Sequence, residues 1–553
     1  MPSFAGVSCT AEMGLSLLCD DVRRITDACQ EITPAPPDVD DALPLSPVTR
    51  TVTIPFHPER MRTPIAASLL LLSLATTAAL AQRAERLTPD VLKYVRPTES
   101  RIVLTHVEII DGSGSPVLSD RNITIERGII TEIAPGVDVP SSRGTTAFDL
   151  RGTTVMPGIV GMHDHLWFQQ RPNLAADNSY DGPAWRVDMG YSAPRLYLAA
   201  GVTTIRTAGS AAPYTDLYLK RQIESGRMPG PHMDATGPYL QGSDTSKAPQ
   251  FMELTGPDDA RRTVAYWADH GATSFKAYTN ITRDELRAAI EEAHRRKLKV
   301  TGHLCSVTYP EAIALGIDNL EHGFMSNTAN DPGKTPDVCS ASGGDYTLEH
   351  MPAGGAEARA LIGSLVKHHV AVTSTLVLRA AGVAGIGIQQ DGRPLQTGLV
   401  ESMSPETRAA FEVWRSHPSA TRDHSAALLR NEMALEREFA SAGGLLLAGP
   451  DPVGLNGNVP GFGDQRQIEL LVDAGFSPVE AIRIATLNGA TYLGREHTIG
   501  SVTPGKHADL LIVRGNPTER ISDIERVELV LKDGVVYDRQ KLLDAARGRY
   551  GAY

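Results

Sequence analysis

The chain has 553 residues, of which 41% are hydrophobic and 21% are charged, and its formal net charge is -12 at pH 7. This length allows a large core with an accessory domain, and the composition is that of an ordinary globular protein. The acidic balance, with no Lys/Arg-rich run or basic stripe, argues against a nucleic-acid-binding protein. Five cysteines are too few for a disulfide scaffold, and the sequence leaves open whether Cys305 and Cys339 pair.

A hydrophobic segment that begins at Met61 has the three parts of a secretory signal peptide. A basic residue follows the methionine, an apolar run comes next, and an Ala-Leu-Ala cleavage signal precedes Gln82. We therefore predict a signal peptide over residues 61–81, an over-extended gene start or disordered tail over residues 1–60, and a periplasmic or secreted protein. The alternative is a disordered tail that leads into a buried apolar helix. Because the apolar run is short for a membrane span, no stable membrane span is expected.

Short β-prone segments occur near both ends of the remaining chain. They cover residues 101–110, 121–133, 146–155, 508–513 and 527–537. The Asp533-Gly534 pair within the last segment is typical of a hairpin turn. Because both chain ends contribute such segments, we predict a small β-sandwich domain assembled from residues 82–154 and residues 496–553.

The middle of the chain alternates candidate strands with candidate helices. The strands cover residues 155–161, 202–207, 232–236, 274–278, 299–303, 319–322, 371–378 and 445–449. Capping-box pairs, Thr282 with Glu285 and Ser477 with Glu480, mark the starts of two helices. Eight strands in this alternation predict an α/β protein with a (β/α)8 TIM barrel over residues 155–495. Two long loops, 323–357 and 379–423, follow strand ends and are expected over the catalytic face of the barrel.

Side chains that can bind metal ions stand at the ends of several candidate strands. They are His163, His165, Lys276, His303, His322 and Asp451. His163 and His165 point to the same side because residues two apart in a strand share a face. A protonated lysine cannot bind a metal ion, so Lys276 joins the set only as the carbamate formed with CO₂. Each residue alone also has an ordinary structural interpretation, such as an ion-paired lysine or a turn aspartate.

The segments around these residues resemble the amidohydrolase superfamily of metal-dependent hydrolases. The matching stretches are VMPGIVGMHDHL, AAGVTTIRTAG, SFKAYTNIT, VTGHL, IDNLEHGF, LLLAGPD and ATLNGATYLGREHTIGSVTPGKHADLLIV. The nearest likeness is to the branch with imidazolonepropionase-like proteins, Xaa-Pro or Lys/Arg dipeptidases and ochratoxin-degrading amidases. It covers about residues 101–537. One departure is AGPD in place of the common AGTD, which removes a hydroxyl group near the site.

The resemblance implies a site for two divalent metal ions, and nitrogen and oxygen ligands fit zinc best. The first histidine pair would hold the more buried ion, and the later histidines would hold the more exposed one. The carbamate of Lys276 would bridge the ions, and Asp451 would bind the buried ion. A hydroxide bridging two ions about 3.5–4 Å apart would then attack a carbonyl group. Asp451 would take the proton and pass it to the leaving nitrogen.

The implied function is the hydrolysis of a carbon–nitrogen bond in a dipeptide, an N-acyl amino acid or a cyclic amide. One alternative is a mononuclear deaminase or cyclic-imide hydrolase, because a deaminase needs no lysine bridge. Another is a lactone or phosphotriester hydrolase with the same metal ligands. A non-catalytic binding protein is disfavoured, because all six ligand-type residues are present.

Substrate contacts are less specific in the sequence. Tyr278 and Arg206 stand near strand ends and Arg379 begins a long loop, so each is a candidate for binding a substrate carboxylate or polarising its carbonyl group. A structural hydrogen-bonding role is an equal alternative for all three. The expected partner is a small amide or dipeptide substrate. Because members of the family often assemble, the resemblance also admits a homo-oligomer.

Overall fold

The computed structural model describes residues 86–171, 183–243, 248–381, 383, 393–416, 422–454 and 457–552. The predicted signal peptide at 61–81 and the preceding residues 1–60 lie outside the described residues. Parts of the predicted loop 379–423 do as well. Within the described ranges, no helix combines the length and the apolar character needed to cross a membrane.

The described strands form two large sheets and one small ribbon. In chain order they are β1 (Arg101–Ile109), β2 (Leu118–Glu126), β3 (Ile129–Pro135), β4 (Thr145–Asp149), β5 (Thr153–Pro157), β6 (Ile159–Asp164), β7 (Trp167–Gln170), β8 (Trp185–Asp188), β9 (Val202–Thr207), β10 (His232–Leu240), β11 (Ser274–Ala277), β12 (Lys299–Gly302), β13 (Asn319–Glu321), β14 (Ala371–Ser374), β15 (Leu446–Ala448), β16 (Leu510–Arg514), β17 (Val527–Lys532) and β18 (Val535–Tyr537).

Helices connect most of the strands. In chain order they are α1 (Pro89–Leu92), α2 (Ala193–Ala199), α3 (Pro213–Glu224), α4 (Pro257–Asp269), α5 (Arg283–Arg295), α6 (Tyr309–Leu315), α7 (Asp345–His350), α8 (Ala356–Lys367), α9 (Leu376–Ala381), α10 (Thr397–Ser402), α11 (Pro405–Ser416), α12 (Arg422–Ser441), α13 (Phe462–Asp473), α14 (Pro478–Arg483), α15 (Gly489–Tyr492) and α16 (Arg539–Ala546). A π-helical turn, Ile484–Asn488, joins α14 to α15, and a 3₁₀ turn covers Ile521–Glu525. Both predicted capping boxes are present, at the starts of α5 and α14.

Eight parallel strands form the central barrel, in the order β6-β9-β10-β11-β12-β13-β14-β15. Their side chains are almost all buried, as expected for parallel strands covered on both faces. The last strand returns to the first, because the backbone N–H of Asp451 donates to the His163 carbonyl oxygen at 3.0 Å. Glycine at position 449 allows this approach, since a Cβ atom there would collide with the His163 backbone. The predicted (β/α)8 barrel is confirmed.

A second sheet combines strands from both chain ends, in the order β18-β17-β16-β5-β1-β2-β3, with β4 also paired to β1. We call the unit formed by β1–β5 and β16–β18 the β domain. Its apolar cluster includes Leu104, Val155, Leu510 and Leu531. Burial of such side chains supplies roughly 1.5–3 kcal/mol each. Both chain ends thus contribute to one β domain, as predicted, but its strands form a single sheet in the described residues rather than the two packed sheets of a sandwich.

The predicted strands at 155–161 and 371–378 both differ from the structure. The first divides at Gly158, where the backbone N–H of Gly158 donates to Asp509 of the β domain and that of Ile159 donates to Gly201 of the barrel. The second stops at Ser374, and the apolar residues after it begin α9. A short apolar run has no periodicity that separates strand from helix, which explains the second error.

The two long connections, predicted as loops, contain helices. The first includes α7 and is linked to the segment after β12 by a disulfide between Cys305 and Cys339, whose Cα atoms are 4.8 Å apart. The described part of the second includes α10 and α11. Cys305 and Cys339 therefore pair, which answers the question that the sequence leaves open.

Removing this disulfide is expected to destabilise the protein. The cysteines are 34 positions apart, and closing a loop of this length in the unfolded chain is worth about 3–4 kcal/mol. The double variant Cys305→Ala/Cys339→Ala should therefore unfold at a lower urea concentration than wild type, as followed by tryptophan fluorescence. Wild type treated with reductant is the control and should unfold with the variant. An unchanged midpoint in the variant would contradict the structural role of the bridge.

Candidate functional site

The six predicted metal-binding residues lie together at the carboxyl ends of the barrel strands. The Nε2 atom of His163 is 3.1 Å from Lys276 Nζ and 3.6 Å from Asp451 Oδ1. The same Asp451 oxygen is 3.0 Å from His165 Nε2. His163, His165 and Asp451 form a buried group whose ligand atoms could hold one metal ion.

His303 and His322 complete the cluster on its other side. The His322 ring lies 4.6 Å from the His163 ring and 4.3 Å from the His303 ring, measured between centroids. His303 is the more exposed of these three side chains. The structure therefore brings together all six residues selected from the sequence, while their binding of metal remains a prediction.

Two of these residues have a backbone conformation that side chains other than glycine rarely adopt. The φ angle is 65° at His322 and 53° at Asp451. A left-handed conformation costs roughly 1–2 kcal/mol for such a residue, and it persists only where the surroundings enforce it. At both positions the chain turns out of a barrel strand, and the turn directs a ligand-type side chain towards the cluster.

A buried carboxylate orients His163. The Nδ1–H group of His163 donates to Glu321 Oε2 at 2.8 Å, which leaves Nε2 facing Lys276 and Asp451. Glu321 is fully buried and also accepts hydrogen bonds from Arg206 at 2.6 Å and from the Thr301 hydroxyl group. Burial by itself would raise the pKa of Glu321, but the positive charges of Arg206 and Lys276 hold it below its ordinary value. Glu321 is therefore an ionised partner that fixes the ring and tautomer of His163.

The position of Arg206 corrects its predicted role as a substrate contact. Its side chain is 0% exposed and lies in the barrel interior. Besides Glu321, it donates to the Met162 carbonyl oxygen at 2.8 Å and to Asn319 Oδ1 at 2.9 Å. With these partners and no exposed surface, Arg206 does not face the substrate side of the cluster. It acts on the site through Glu321, as a positioning residue.

The later histidine is oriented by a hydroxyl group. His322 Nδ1 lies 3.0 Å from Thr375 Oγ1, and its Nε2 atom is buried with no hydrogen-bond partner among the described residues. A buried imidazole nitrogen without a partner is costly unless it binds something. This nitrogen, together with the nitrogen and oxygen atoms around it, fits a divalent transition-metal ion.

Burial sets the protonation of the whole cluster. It lowers the pKa of His303 to about 4 and holds the pKa values of His163 and His322 well below the ordinary range, with the charge of Lys276 as a further cause. Burial also lowers the pKa of Lys276 to about 8. Burial opposes ionisation of Asp451, yet neighbouring His163 and His165 keep its pKa below the ordinary value. Neutral imidazoles and an ionised carboxylate are the forms that bind metal ions.

Tyr278 and Arg379 lie beside the cluster, and their roles as substrate contacts remain predictions. The Tyr278 ring is 5.1 Å from the His303 ring. Arg379 on α9 forms an ion pair with Asp345 at 2.7 Å, and both residues line a cavity of about 300 Å³ that also contains His303. Arg379 Nε is buried without a hydrogen-bond partner in the described part of the chain.

Three further aromatic side chains near the cluster, Trp167, Tyr239 and Phe251, were not selected from the sequence. Trp167 stacks on His165, with ring centroids 4.4 Å apart. Tyr239 stacks on Phe251 at 4.1 Å, and both rings contact Tyr278. We call Trp167, Tyr239, Phe251 and Tyr278 the aromatic wall. Its members come from β7, β10 and two loops, so no local sequence pattern connects them.

Two buried glutamates support the turn that carries His322. Glu432 and Glu436 are four residues apart on α12 and share one face. Glu432 accepts the Phe324 N–H at 2.7 Å, and Glu436 accepts the Ser374 hydroxyl group at 2.6 Å. Burial raises the pKa of Glu432 to about 7, and burial with the neighbouring Glu432 carboxyl raises that of Glu436. A charged pair at helical spacing in a sequence suggests a solvated face, so only the structure identifies these residues.

Comparisons with known proteins agree with the fold. Residues 420–537 match the Amidohydrolase family. Imidazolonepropionase from Porphyromonas gingivalis is 24% identical over 427 residues, which are 75% of this chain and 86% of that protein. A putative prolidase from Bifidobacterium longum has a TM-score of 0.57 and 25% identity, covering 81% of this chain and 100% of that chain. Ochratoxinase from A. niger, with a TM-score of 0.55 and 16% identity over 80% of this chain and 96% of that chain, supports the fold alone.

The parallel (β/α)8 barrel carries ligand-type side chains at its carboxyl end, as described above. Together with this arrangement, the matches in sequence and structure make the chain similar to hydrolases of the amidohydrolase superfamily and support its being a member.

Replacing Glu321 tests whether it orients His163. In Glu321→Gln, the hydrogen bond from His163 Nδ1 to residue 321 is weakened, and Arg206 becomes a buried cation without a counter-charge. Metal affinity should fall about 10- to 100-fold, and the free energy of unfolding should fall by about 3–5 kcal/mol. Calorimetric zinc titration and urea unfolding measure the two effects. Glu528→Gln, which removes the partner of Arg514 in an exposed ion pair, is the control. It should change neither the zinc affinity nor the free energy of unfolding appreciably. Equal behaviour of the two variants would refute the orienting role of Glu321.

The buried pair of glutamates predicts a pH dependence of stability. A carboxyl group whose pKa is raised by folding stabilises the protein below its unfolded value of 4.5, and this stability is lost as the pH rises through its folded value of about 7. Glu432→Gln keeps the acceptor for the Phe324 N–H and removes one titration. The variant should therefore gain stability relative to wild type between pH 5 and pH 8, on the order of 1–3 kcal/mol. If the melting temperatures of both proteins change in the same way with pH across this range, the raised pKa of Glu432 is contradicted.

Proposed function

We propose that the protein hydrolyses a carbon–nitrogen bond, in the amide of a dipeptide, of an N-acyl amino acid or of a cyclic amide, at a site that binds two divalent metal ions. The observation that carries this proposal is the position of Lys276. Its Nζ atom is buried and lies 3.1 Å from His163 Nε2, among four imidazole rings. An ammonium group here could donate a hydrogen bond to His163 Nε2, whereas a carbamate on Lys276 would supply the anion that two cations need.

The residues divide into two sets of ligands around Lys276. His163, His165 and Asp451 would hold the more buried ion, and His303 with His322 would hold the other. When bound, two such ions lower the pKa of a shared water and polarise a carbonyl oxygen. Zinc fits the nitrogen and oxygen ligands best. Glu321 and Thr375 keep the Nε2 atoms of His163 and His322 turned towards the ions by binding their Nδ1 atoms.

The carbamate would form on the neutral amine of Lys276. The Nζ lone pair attacks the carbon of CO₂, an N–C bond forms, one C=O π bond opens onto oxygen, and the nitrogen releases a proton. The reaction needs the amine form, and burial favours that form by lowering the pKa of Lys276 to about 8. The product carries two oxygen atoms that can bind one ion each.

Asp451 is the proposed proton carrier. Its carboxylate is ionised because the neighbouring imidazoles hold its pKa low, and Oδ1 lies 3.0 Å from His165 Nε2. We assign it two transfers, from the attacking water to its carboxylate and from there to the leaving nitrogen. An amine leaves poorly as an anion, so the second transfer is essential for amide hydrolysis.

The flanks of the site suggest two recognition elements. The aromatic wall would pack against a flat apolar group on one side of the scissile bond. Arg379 lines the cavity beside His303, and its Nε atom has no partner among the described residues. It would bind a substrate carboxylate on the other side of the scissile bond. An N-acyl amino acid or dipeptide with one aromatic group carries both features.

Activity screening tests this function against its alternatives. Zinc-loaded protein should hydrolyse N-acyl amino acids and dipeptides, with the highest kcat/KM for members bearing an aromatic group. The same preparation should be tested on lactones, phosphotriesters and aminated nucleobases. A preference for lactones or phosphotriesters would replace the proposed reaction by ester hydrolysis, and release of ammonia from nucleobases would replace it by deamination.

The variant Asp451→Asn should separate proton transfer from metal binding. Asp451→Asn keeps the size of the side chain but removes the base, so kcat should fall about 10²- to 10⁴-fold while most of the metal remains bound. Steady-state kinetics and elemental analysis on the same preparation give both numbers. Asp544→Asn, on the exposed end of α16, is the control and should behave as wild type. Near-normal turnover of Asp451→Asn would refute the assigned role.

Lys276→Met tests the bridge between the ions. Methionine has a similar length but cannot form a carbamate, so the variant should bind one metal equivalent instead of two and lose most of its activity. In wild type equilibrated with ¹³C-bicarbonate, a carbamate carbon signal is expected in the NMR spectrum and should be missing from the variant. One metal equivalent in wild type, together with an active Lys276→Met, would favour a mononuclear site.

A further inference from the structure

A second group of ligand-type side chains lies at the opposite end of the barrel. His232 is the first residue of β10, Asp509 directly precedes β16, and Asp533 lies in the turn between β17 and β18. Their ligand atoms are close enough together to hold a metal ion. Since β10 is nine residues long and a strand rises about 3.3 Å per residue, this group is roughly 25 Å from the candidate active site. It lies where the barrel meets the β domain.

The spacing of these atoms is compatible with ligands of one metal ion. His232 Nε2 and His507 Nδ1 are each 3.2 Å from Asp533 Oδ1, and His232 Nε2 is 3.9 Å from Asp509 Oδ2. Two ligands in a tetrahedral zinc site, each about 2.0–2.1 Å from the ion, are separated by roughly 3.3 Å.

Each carboxylate in the group has one oxygen held by the protein and one facing the histidines. Asp509 Oδ1 accepts the backbone N–H of Asp533 at 2.6 Å, and Asp533 Oδ2 pairs with Lys532 Nζ at 3.0 Å. The other oxygen of Asp509, Oδ2, is buried and has no hydrogen-bond partner among the described residues. Asp509 is 4% exposed, so water does not readily satisfy that oxygen. A buried anionic oxygen in this state requires a cation.

We propose that His232, Asp509 and Asp533 bind one divalent transition-metal ion, with Zn²⁺ as the best fit, that clamps the β domain to the bottom of the barrel. The donors are His232 Nε2, Asp509 Oδ2 and Asp533 Oδ1. One nitrogen and two oxygen donors from the protein leave the remaining position of a four-coordinate shell to water. The site lies apart from the six residues of the candidate active site, so it does not depend on the proposed function.

The surrounding charges are consistent with a neutral-imidazole, anionic-carboxylate donor set. Lys532 pairs with the oxygen of Asp533 that faces away from the histidines, so it supports the carboxylate without occupying the ligand position. His232 comes from the barrel and the two carboxylates come from the β domain, so an ion here would link both units.

The experiment measures zinc in a background that lacks the active-site ligands. The double variant His163→Ala/His165→Ala removes binding of the more buried catalytic ion, and zinc per chain is then determined by elemental analysis after desalting. Asp509→Asn, which keeps the acceptor for the Asp533 N–H, is then added to this background. It should remove one further equivalent of zinc. The zinc affinity should fall about 100-fold or more, because the loss of even an outer partner of a metal site lowers metal affinity about 10- to 100-fold. His232→Gln should do the same.

His106→Gln is the matched control. His106 also pairs with two carboxylates, Asp120 at 2.8 Å and Asp138 at 3.1 Å, but it lies at an exposed edge of the β domain with no further ligand. Its zinc content should equal that of the background protein. Chelator should also lower the Tm of the background protein and of the control, but not that of the Asp509→Asn variant.

Equal zinc content with and without Asp509→Asn would overturn the proposal and leave the group as a hydrogen-bonded ion network. If Asp509→Asn does not fold, the zinc content of His232→Gln decides in the same way. Failure of the activity screen would leave this result unaffected, because the zinc count is read in protein whose active site is already disabled.

Discussion

The ion pair between Arg206 and Glu321, buried below the candidate active site, is the interaction on which the rest of the site depends. Glu321 binds the Nδ1 atom of His163 and so turns its Nε2 atom towards Lys276 and Asp451. Arg206 keeps Glu321 ionised in an interior that would otherwise favour its neutral form. A buried pair of this kind adds little net stability, but loss of one partner leaves an uncompensated charge. The barrel therefore carries the pair because it orients the site.

The same low-polarity surroundings explain the protonation states of the predicted metal-binding residues. Burial keeps the histidines neutral and brings the pKa of Lys276 down to about 8, while Asp451 stays ionised beside them. An array of neutral nitrogens, one reactive amine and one carboxylate offers several buried lone pairs to a cation. Divalent cations and a carbamate on Lys276 would balance it, which is why a single set of contacts supports both the metal sites and the proposed reaction.

The sequence predicts the barrel and the six clustered residues because each depends on a local pattern. Strand-end positions such as those of His163 and Asp451 follow from short apolar runs and their turns. The roles of Arg206 and Glu432 are different, because each is decided by partners more than one hundred residues away in the chain. An arginine at a strand end resembles a substrate contact until the structure shows that its guanidinium group points into the barrel. The strand break at Gly158 is also non-local, since it depends on hydrogen bonds to two different sheets.

The central claim is that two metal ions and a modified lysine occupy the cluster. Crystals grown with Zn²⁺ and bicarbonate, with diffraction data collected at the zinc absorption edge, test it most directly. The account predicts two anomalous peaks roughly 3.5–4 Å apart, one beside His163 and His165 and one beside His303 and His322, with density for a carboxyl group on Lys276 Nζ. A single peak beside an unmodified Lys276 would contradict it.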